Sequence, residues 1–282
     1  MVDLHEMLLV PGIVKQTCLW ENPYGDLMAY AIVDTWNNLW FDLWADFLGT
    51  PLEVEIVQWG VSCIRSQARE EGNSSELNLD TNCDVHNQQR ISMLLRQGFI
   101  EKPQCTLQLV RRLSDPFPAM SLPSGFYLRT VNDESEADDL AALHRAAFAS
   151  DEMTADYRRF MMQVPGYDPS LDLVVTAPDG RPAAFCVCQV DAESGGREGF
   201  TDPLGTHPDH LRMGLAKALL LEGLRRLKSR GVEVARLSTD SINVAMLKTA
   251  DSVGFKLEKT KLWFSKPVPN VGAKHWSGIA AI

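Results

Sequence analysis

The chain has 282 residues, 45% of them hydrophobic and 23% charged, with a formal net charge of −10. That length accommodates two domains with ordinary cores, and the acidic balance excludes general binding to nucleic acid or to anionic membranes. No apolar run approaches the roughly 18 residues of a membrane span. The short apolar stretch near the N-terminus has no basic segment ahead of it, which argues against a secretory signal and for a soluble cytoplasmic protein. In chain order, residues 14–19 and 27–34 read as strands. An amphipathic helix follows over 52–66, with Val54, Ile56, Val57, Val61 and Ile64 at its apolar positions. A polar loop over 69–76 separates it from a second helix that runs from Asn87 to Gly98-Phe99.

Residues 114–125 hold three prolines and a glycine, the composition of an extended linker. Beyond it, 126–131 reads as a strand, and 134–149 as a helix with Leu140, Leu143, His144 and Phe148 on its inner face. A second helix covers 154–163, and strands 171–177 and 183–191 pair across the turn at 178–182. The strand over 200–206 contains Pro203, which cannot donate to a sheet ladder. Leu204-Gly-Thr-His-Pro-Asp-His-Leu-Arg-Met-Gly-Leu-Ala216 then runs from strand through turn into a long helix. Unpaired N–H groups and the helix dipole meet at such a point, so it suits a phosphate or pyrophosphate. Gly214 and Ala216 keep side chains from holding the anion away. Residues 232–239 form the next strand, a helix from Asn243 closes at Gly254, and strands follow over 255–266.

The two halves repeat. Residues 52–66 match 215–229 without a gap, and Asn87 through Phe99 match Asn243 through Phe255, with seven extra residues between the blocks of the first copy. The element order and motifs over 126–266 resemble the GNAT superfamily, the acyl-CoA-dependent N-acyltransferases. Gly214 and Ala216 fill the small positions of its Gln/Arg-x-x-Gly-x-Gly/Ala turn, with Leu211 in place of Gln or Arg and Arg212 one position later. Asn243, Gly254 and Phe255 match its Asn-to-Gly-Phe helix, with Ala250 where many members carry the tyrosine that protonates the departing thiolate. The resemblance implies an α/β fold: a mixed, mainly antiparallel sheet flanked by helices, in two tandem copies. On this reading 1–113 is an abridged, degenerate copy, 114–125 the linker, and 126–282 the transferase domain with a C-terminal tail. It also implies acetyl-CoA as cosubstrate. The backbone of Leu204, Gly205 and Thr206 would meet the pantetheine arm, and Arg212, Met213, Gly214, Leu215 and Ala216 the pyrophosphate, with Asn243 beside them.

Acyl transfer to an amine needs a base for the acceptor, a donor for the oxyanion and a proton for the thiolate. Asp202 and Glu198, four apart in a strand, are expected on one side of the sheet, Asp202 first as general base and Glu198 second. Asp202 as an electrostatic attractor for a cationic substrate is the open alternative. A backbone N–H of the same strand would serve the oxyanion, and Ser252 could relay a proton through water. The expected function is N-acetylation of a primary amine on a small molecule or peptide; the alternative is a catalytically weak acyl-CoA-binding or regulatory protein. In the first copy Gly49, Pro51 and Glu53 stand opposite Arg212, Gly214 and Ala216. Pro51 has no N–H to offer and Glu53 adds a carboxylate, so this copy is expected to have lost CoA binding. It is either naturally abridged or shortened at its N-terminus, and it should pack on the second copy or on another chain, which leaves a homodimer open. The six cysteines form no framework. Cys186 and Cys188 share a strand face as buried small hydrophobes, and His207 and His210 lack partners at ligand spacing, so no metal is expected.

Overall fold

Apolar residues at helical spacing build the same local unit twice. In the computed structural model, which describes residues 12–70 and 76–269, Leu52, Ile56, Val57, Gly60, Ile64 and Ala68 form the buried stripe of α1, Pro51–Glu70. Leu215, Leu219, Gly223 and Leu227 lie on the buried positions of its counterpart α5, Leu215–Ser229. Both helices approach a sheet through a glycine: a Cβ on Gly60 would stand 3.1 Å from Leu39 and Leu79, and one on Gly223 would collide with Cys188. The chain divides into two units. The first comprises the described residues up to Thr106 together with those from Thr260 onward, and the second is Leu107–Lys259. The expected domains, 1–113 and 126–282, are contiguous, and this division is not. The long strands β5, Ile100–Arg112, and β13, Lys256–Val268, each contribute residues to both units.

In the first unit, β1, Thr17–Glu21, β2, Leu27–Val33, and β3, Leu39–Leu43, form an antiparallel meander. The first strand starts later than its expected position at residue 14, because Gly12, at φ 88°, leads into a 3-10 turn over Ile13–Gln16. β3 is an addition to the sequence reading. After α1 come β4, Leu77–Asp84, and α2, Gln88–Arg96. β4 pairs antiparallel with β13 from Leu77↔Val268 to Asp84↔Lys261. Ile56, Leu79, Met93, Leu94 and Phe264 are fully buried between these elements.

The second unit carries β6, Tyr127–Thr130, then α3, Ala137–Phe148, and α4, Ala155–Met161. β7, Asp172–Thr176, β8, Pro182–Val187, and β9, Gln189–Val190, follow. β10, Glu198–Phe200, and β11, Leu204–Thr206, precede α5; β12, Val234–Asp240, and α6, Val244–Ser252, come after it. One antiparallel sheet has the order β11-β8-β7-β6, and β12 lies between β5 and β10, with β9 outside. The core of Leu173, Cys186, Leu219, Leu224, Leu237 and Phe255 is sealed on one side by the linker, whose Phe117 and Leu122 pack against it. The linker is thus a packed strap rather than a free tether. This is the mixed, mainly antiparallel α/β architecture that the sequence implied.

Candidate functional site

The proline in the fourth strand divides it. β10 pairs in parallel with β12, Glu198↔Val234 to Phe200↔Arg236, and Thr201 N–H still donates to Arg236 O at 3.1 Å. Three residues on, past a cis Asp202-Pro203 bond, β11 pairs with β8 instead, Leu204↔Cys186 to Thr206↔Ala184. The chain therefore leaves one partner and takes another, and a cleft of about 1120 Å³ opens between β11 and β12. That exceeds the roughly 300–1,000 Å³ of ordinary small-ligand pockets, which leaves room for two reactants. Asp202 stands at the apex, its Oδ2 accepting from Ser238 N–H at 3.3 Å.

β11 is the outer strand of its sheet. Val187 N–H donates to Pro203 O and His207 N–H to Ala183 O, so residues 203, 205 and 207 face β8. Antiparallel alternation turns the main-chain groups of Leu204 and Thr206 the other way, into the cleft. Gly205 between them is required by packing: a Cβ there would stand 2.5 Å from Phe185 Cε1 and 2.9 Å from Ala147. The Phe185 ring packs on His144 and Phe148 of α3, and Phe148, 46% exposed, lines the cleft. Burial, with Arg158 nearby, lowers the His144 pKa and favours its neutral form.

At the mouth, backbone conformation builds an anion seat. Arg212 at φ 61° and Gly214 at φ 83° occupy the left-handed region and turn the chain sharply into α5. No side chain caps this helix start, so the N–H groups of its first turn are left for a ligand. The space where a Gly214 Cβ would sit has no atom within 4 Å. Arg212, Lys217 and Lys248 line the same mouth and add positive charge, whereas Asp202 sits at the inner end.

The first unit keeps this geometry and fills it. Asn38 and Asp80 form a parallel bridge where Thr201 meets Arg236, and Gly49, at φ 78°, repeats the left-handed turn of Arg212. Proline then takes the first helical position at Pro51, and the Thr50 hydroxyl donates to Phe47 O at 2.7 Å. Glu53, 4% exposed, folds back to accept Gly49 N–H at 2.9 Å. Arg90 of α2 donates to Phe41 O at 2.6 Å and lies 3.5 Å over the Phe41 ring.

Of the expected site residues, Asp202, Leu204, Gly205, Thr206, Arg212, Gly214, Leu215, Ala216 and Asn243 all line the cleft. Met213 lies in an adjoining pocket instead. Glu198 needs correction: the break at Thr201–Pro203 ends the alternation that would have placed it beside Asp202. Its carboxylate forms a two-pronged ion pair with Arg236, which holds it below the usual carboxylate range. Asn243 serves first as a helix cap, accepting Met246 N–H at 3.1 Å, as Asn87 does for Arg90 at 3.0 Å. Ala250 is fully buried in the core; Ser252 lines the cleft with Oγ donating to Thr249 O at 2.8 Å. Sequence reasoning missed Ser238 and Thr239 on β12, Lys217 in the first turn of α5 and Lys248 in α6; helical position relative to the glycine turn was the available signal for Lys217. Cys186 and Cys188 are buried with their sulfurs 3.7 Å apart. Among the described residues no group of three His, Cys, Asp or Glu is placed to hold a metal, and no helix is long and apolar enough to cross a membrane.

Comparison with known proteins agrees with this fold. The model of the acetyltransferase (GNAT) family matches residues 137–255. A mycothiol acetyltransferase of Thermobispora bispora is 30% identical over 169 residues, which cover 57% of each chain. One from Kineococcus radiotolerans is 36% identical over 135 residues, 46% of this chain and 43% of that one. The matched region thus spans about half the length of such relatives. Among solved structures, a GCN5-related N-acetyltransferase from Sphaerobacter thermophilus superposes with a TM-score of 0.77 at 21% identity, over 91% of this chain and 82% of that one. A tandem GNAT protein from the clavulanic acid biosynthesis pathway gives 0.66 at 13% identity, over 90% and 84%.

Proposed function

We propose that this chain is a tandem member of the GNAT superfamily and that its second unit transfers an acetyl group directly from acetyl-CoA to a primary amine. The observation that carries the reading is the divided strand. It offers free main-chain groups along β11 for an amide-bearing arm and an uncapped, left-handed helix start for a diphosphate. Bound acetyl-CoA supplies the activated thioester. Asp202, directly or through one water, takes the proton that the amine loses as nitrogen attacks the carbonyl carbon. A backbone N–H of β11 stabilises the oxyanion. The carbon–sulfur bond then breaks, the amide forms, and the thiolate takes up a proton, with Ser252 a hydroxyl on α6 for a water relay. Cationic residues at the mouth and a carboxylate at the apex fit an anionic donor and an acceptor that arrives as an ammonium ion.

The relatives named as mycothiol acetyltransferases make a mycothiol-type amine the first acceptor to test, ahead of peptide amines. Release of free thiol from acetyl-CoA, followed over such amines, tests the reading; turnover with at least one is expected. The alanine at position 250 favours a second reading, a weak or inactive acyl-CoA-binding protein. That reading replaces the first if calorimetry finds one acetyl-CoA site and no amine supports turnover.

A further inference from the structure

His144 and Phe148 lie four residues apart on α3, so their rings stand on one face of the helix. The ring centres are 4.6 Å apart with planes inclined at 38°, and the Phe185 ring of β8 lies 5.5 Å from His144 at 31°. Phe185 supports β11 from below, since its ring fills the space a Gly205 Cβ would take. At the other end, Phe148 is the one phenyl ring among the described residues that line the cleft. The middle ring is a histidine in a place that suits a phenyl group. Its Nδ1 is buried without a hydrogen-bond partner. An imidazolium carries an N–H on both nitrogens, so charging this ring in place would leave a buried donor unsatisfied. Arg158 of α4 opposes the charge as well, fixed by its ion pair with Asp172 of β7, which Tyr167 Oη also contacts at 2.7 Å. Glu152, in the turn after α3, acts the other way and more weakly. On α3 itself Arg145 is engaged with Met153 O at 2.6 Å, and β8 meets the ring with the uncharged Phe185.

Resting on the transferase reading above, we propose that His144 is a positioning residue for the acceptor: its neutral ring props Phe148 into the cleft, and acid withdraws the prop. Phe148 follows Ala147, which abuts Gly205, so the ring stands beside β11 on the stretch that leads to Asp202. With the main-chain groups of Leu204 and Thr206 assigned to the donor's arm, a ring face beside them is left for the second reactant. An ammonium group is attracted to such a face before Asp202 takes its proton. Burial first, and Arg158 second, lower the His144 pKa, so the ring is neutral at pH 7 and charges only below the ordinary histidine value of 6.5. Once charged, it must turn its N–H groups toward water and leave the stack. Phe148 then loses the ring that backs it, whereas the anion seat at Gly214 is untouched.

The full chain, His144→Phe and His144→Ala are compared from about pH 8 to about pH 5.5, with the panel amine that turns over fastest and with acetyl-CoA. His144→Phe keeps a ring in the stack and cannot titrate, so the pH dependence of the amine and of Asp202 cancels in the comparison. Below pH 6.5 the acceptor KM of the unaltered chain should rise above that of His144→Phe by roughly two- to tenfold, the worth of one aromatic pair. His144→Ala should show the raised KM at every pH, with kcat and acetyl-CoA affinity within about twofold. In the ligand-free chain the Phe148 ring resonances should move with the titration of His144 and stay still in His144→Phe. One pH profile shared by the unaltered chain and His144→Phe overturns the inference, as does a loss of acetyl-CoA affinity in His144→Ala that matches the rise in KM. If no amine turns over, the transferase reading fails and the resonances decide alone: Phe148 signals indifferent to His144 overturn the prop too.

Discussion

Placing a carboxylate at Gly214 tests the anion seat most directly. Gly214 has φ 83° and ψ 6°, and its absent Cβ would touch nothing within 4 Å. Any L-residue there therefore carries a backbone cost of about 1–2 kcal/mol and no steric one, which lowers Tm by roughly 2–8 °C for a chain of this size. Gly214→Ala isolates that cost and should leave acetyl-CoA affinity within a few-fold. Gly214→Glu adds a negative charge within about 4 Å of the diphosphate position, a repulsion of about 4 kcal/mol at an effective dielectric constant near 20. Screening at the open mouth lowers this to about 2 kcal/mol, so affinity should fall at least roughly 30-fold. Calorimetry with acetyl-CoA, paired with thermal melts of both variants, reads the two terms separately. One site per chain is expected before mutation. Full affinity in Gly214→Glu, a second equivalent site, or an equal loss in Gly214→Ala would refute the electrostatic reasoning.

Asp202→Asn should lower turnover by roughly 10²–10⁴-fold with acetyl-CoA affinity nearly intact; if only the acceptor KM rises, Asp202 attracts the substrate and the base lies elsewhere. The Arg236 hydrogen bond depresses the Glu198 pKa, so the stability it adds is present above the unfolded value near about 4.3 and is lost as pH falls through the lower folded value. Glu198→Gln should flatten the stability curve below about pH 5 and leave kcat unchanged; a 10²-fold loss of kcat would restore it to the chemistry. Deleting residues 1–113 removes β4, the partner of β13 from Lys261 to Val268, uncovers the fully buried Phe264, and takes Leu109 and Leu113 from the second core. The remainder should aggregate, and a soluble, fully active 114–282 fragment would contradict that. Glu53→Ala should leave the stoichiometry at one donor and lower stability by about 1–3 kcal/mol through the lost hydrogen bond from Gly49 N–H, a loss that thermal melts would detect.

The sequence made the seat legible because its signals are local. Gly214 and Ala216 declare a helix start without side chains, Gly254 declares a helix end, and the ungapped match of 52–66 to 215–229 declares the repeat. Pro203 announced a fault in its strand but not its consequence. Period-two alternation assumes one continuous ladder, and the exchange of partners from β12 to β8 breaks that assumption between Glu198 and Asp202. The strand β3 was hidden because Leu39-Trp-Phe-Asp-Leu43 is short and lies among tryptophans, and its alternation is recognisable only once β2 pairs with it. The division of the long strands was also beyond local signals: β13 joins β4 across more than 170 residues of chain, a pairing set by tertiary contact.

The two copies explain each other. Each has the same bridge below its cleft, the same left-handed residue before its helix and the same asparagine cap after it. They differ in what satisfies the helix start. In the first unit Glu53 brings a carboxylate to the N–H of Gly49, just ahead of the helix, and Arg90 takes the edge-strand carbonyl of Phe41. Those contacts satisfy groups that would otherwise have to find partners, and they stabilise the unit in the absence of any ligand. In the second unit Gly214 and Ala216 leave the same groups unsatisfied by side chains. An uncapped helix start is costly in isolation, and a bound anion recovers that cost on binding. The substitutions at the first helix start are ones an anion site would not tolerate, and their absence from the second supports the proposal that the second unit binds the donor.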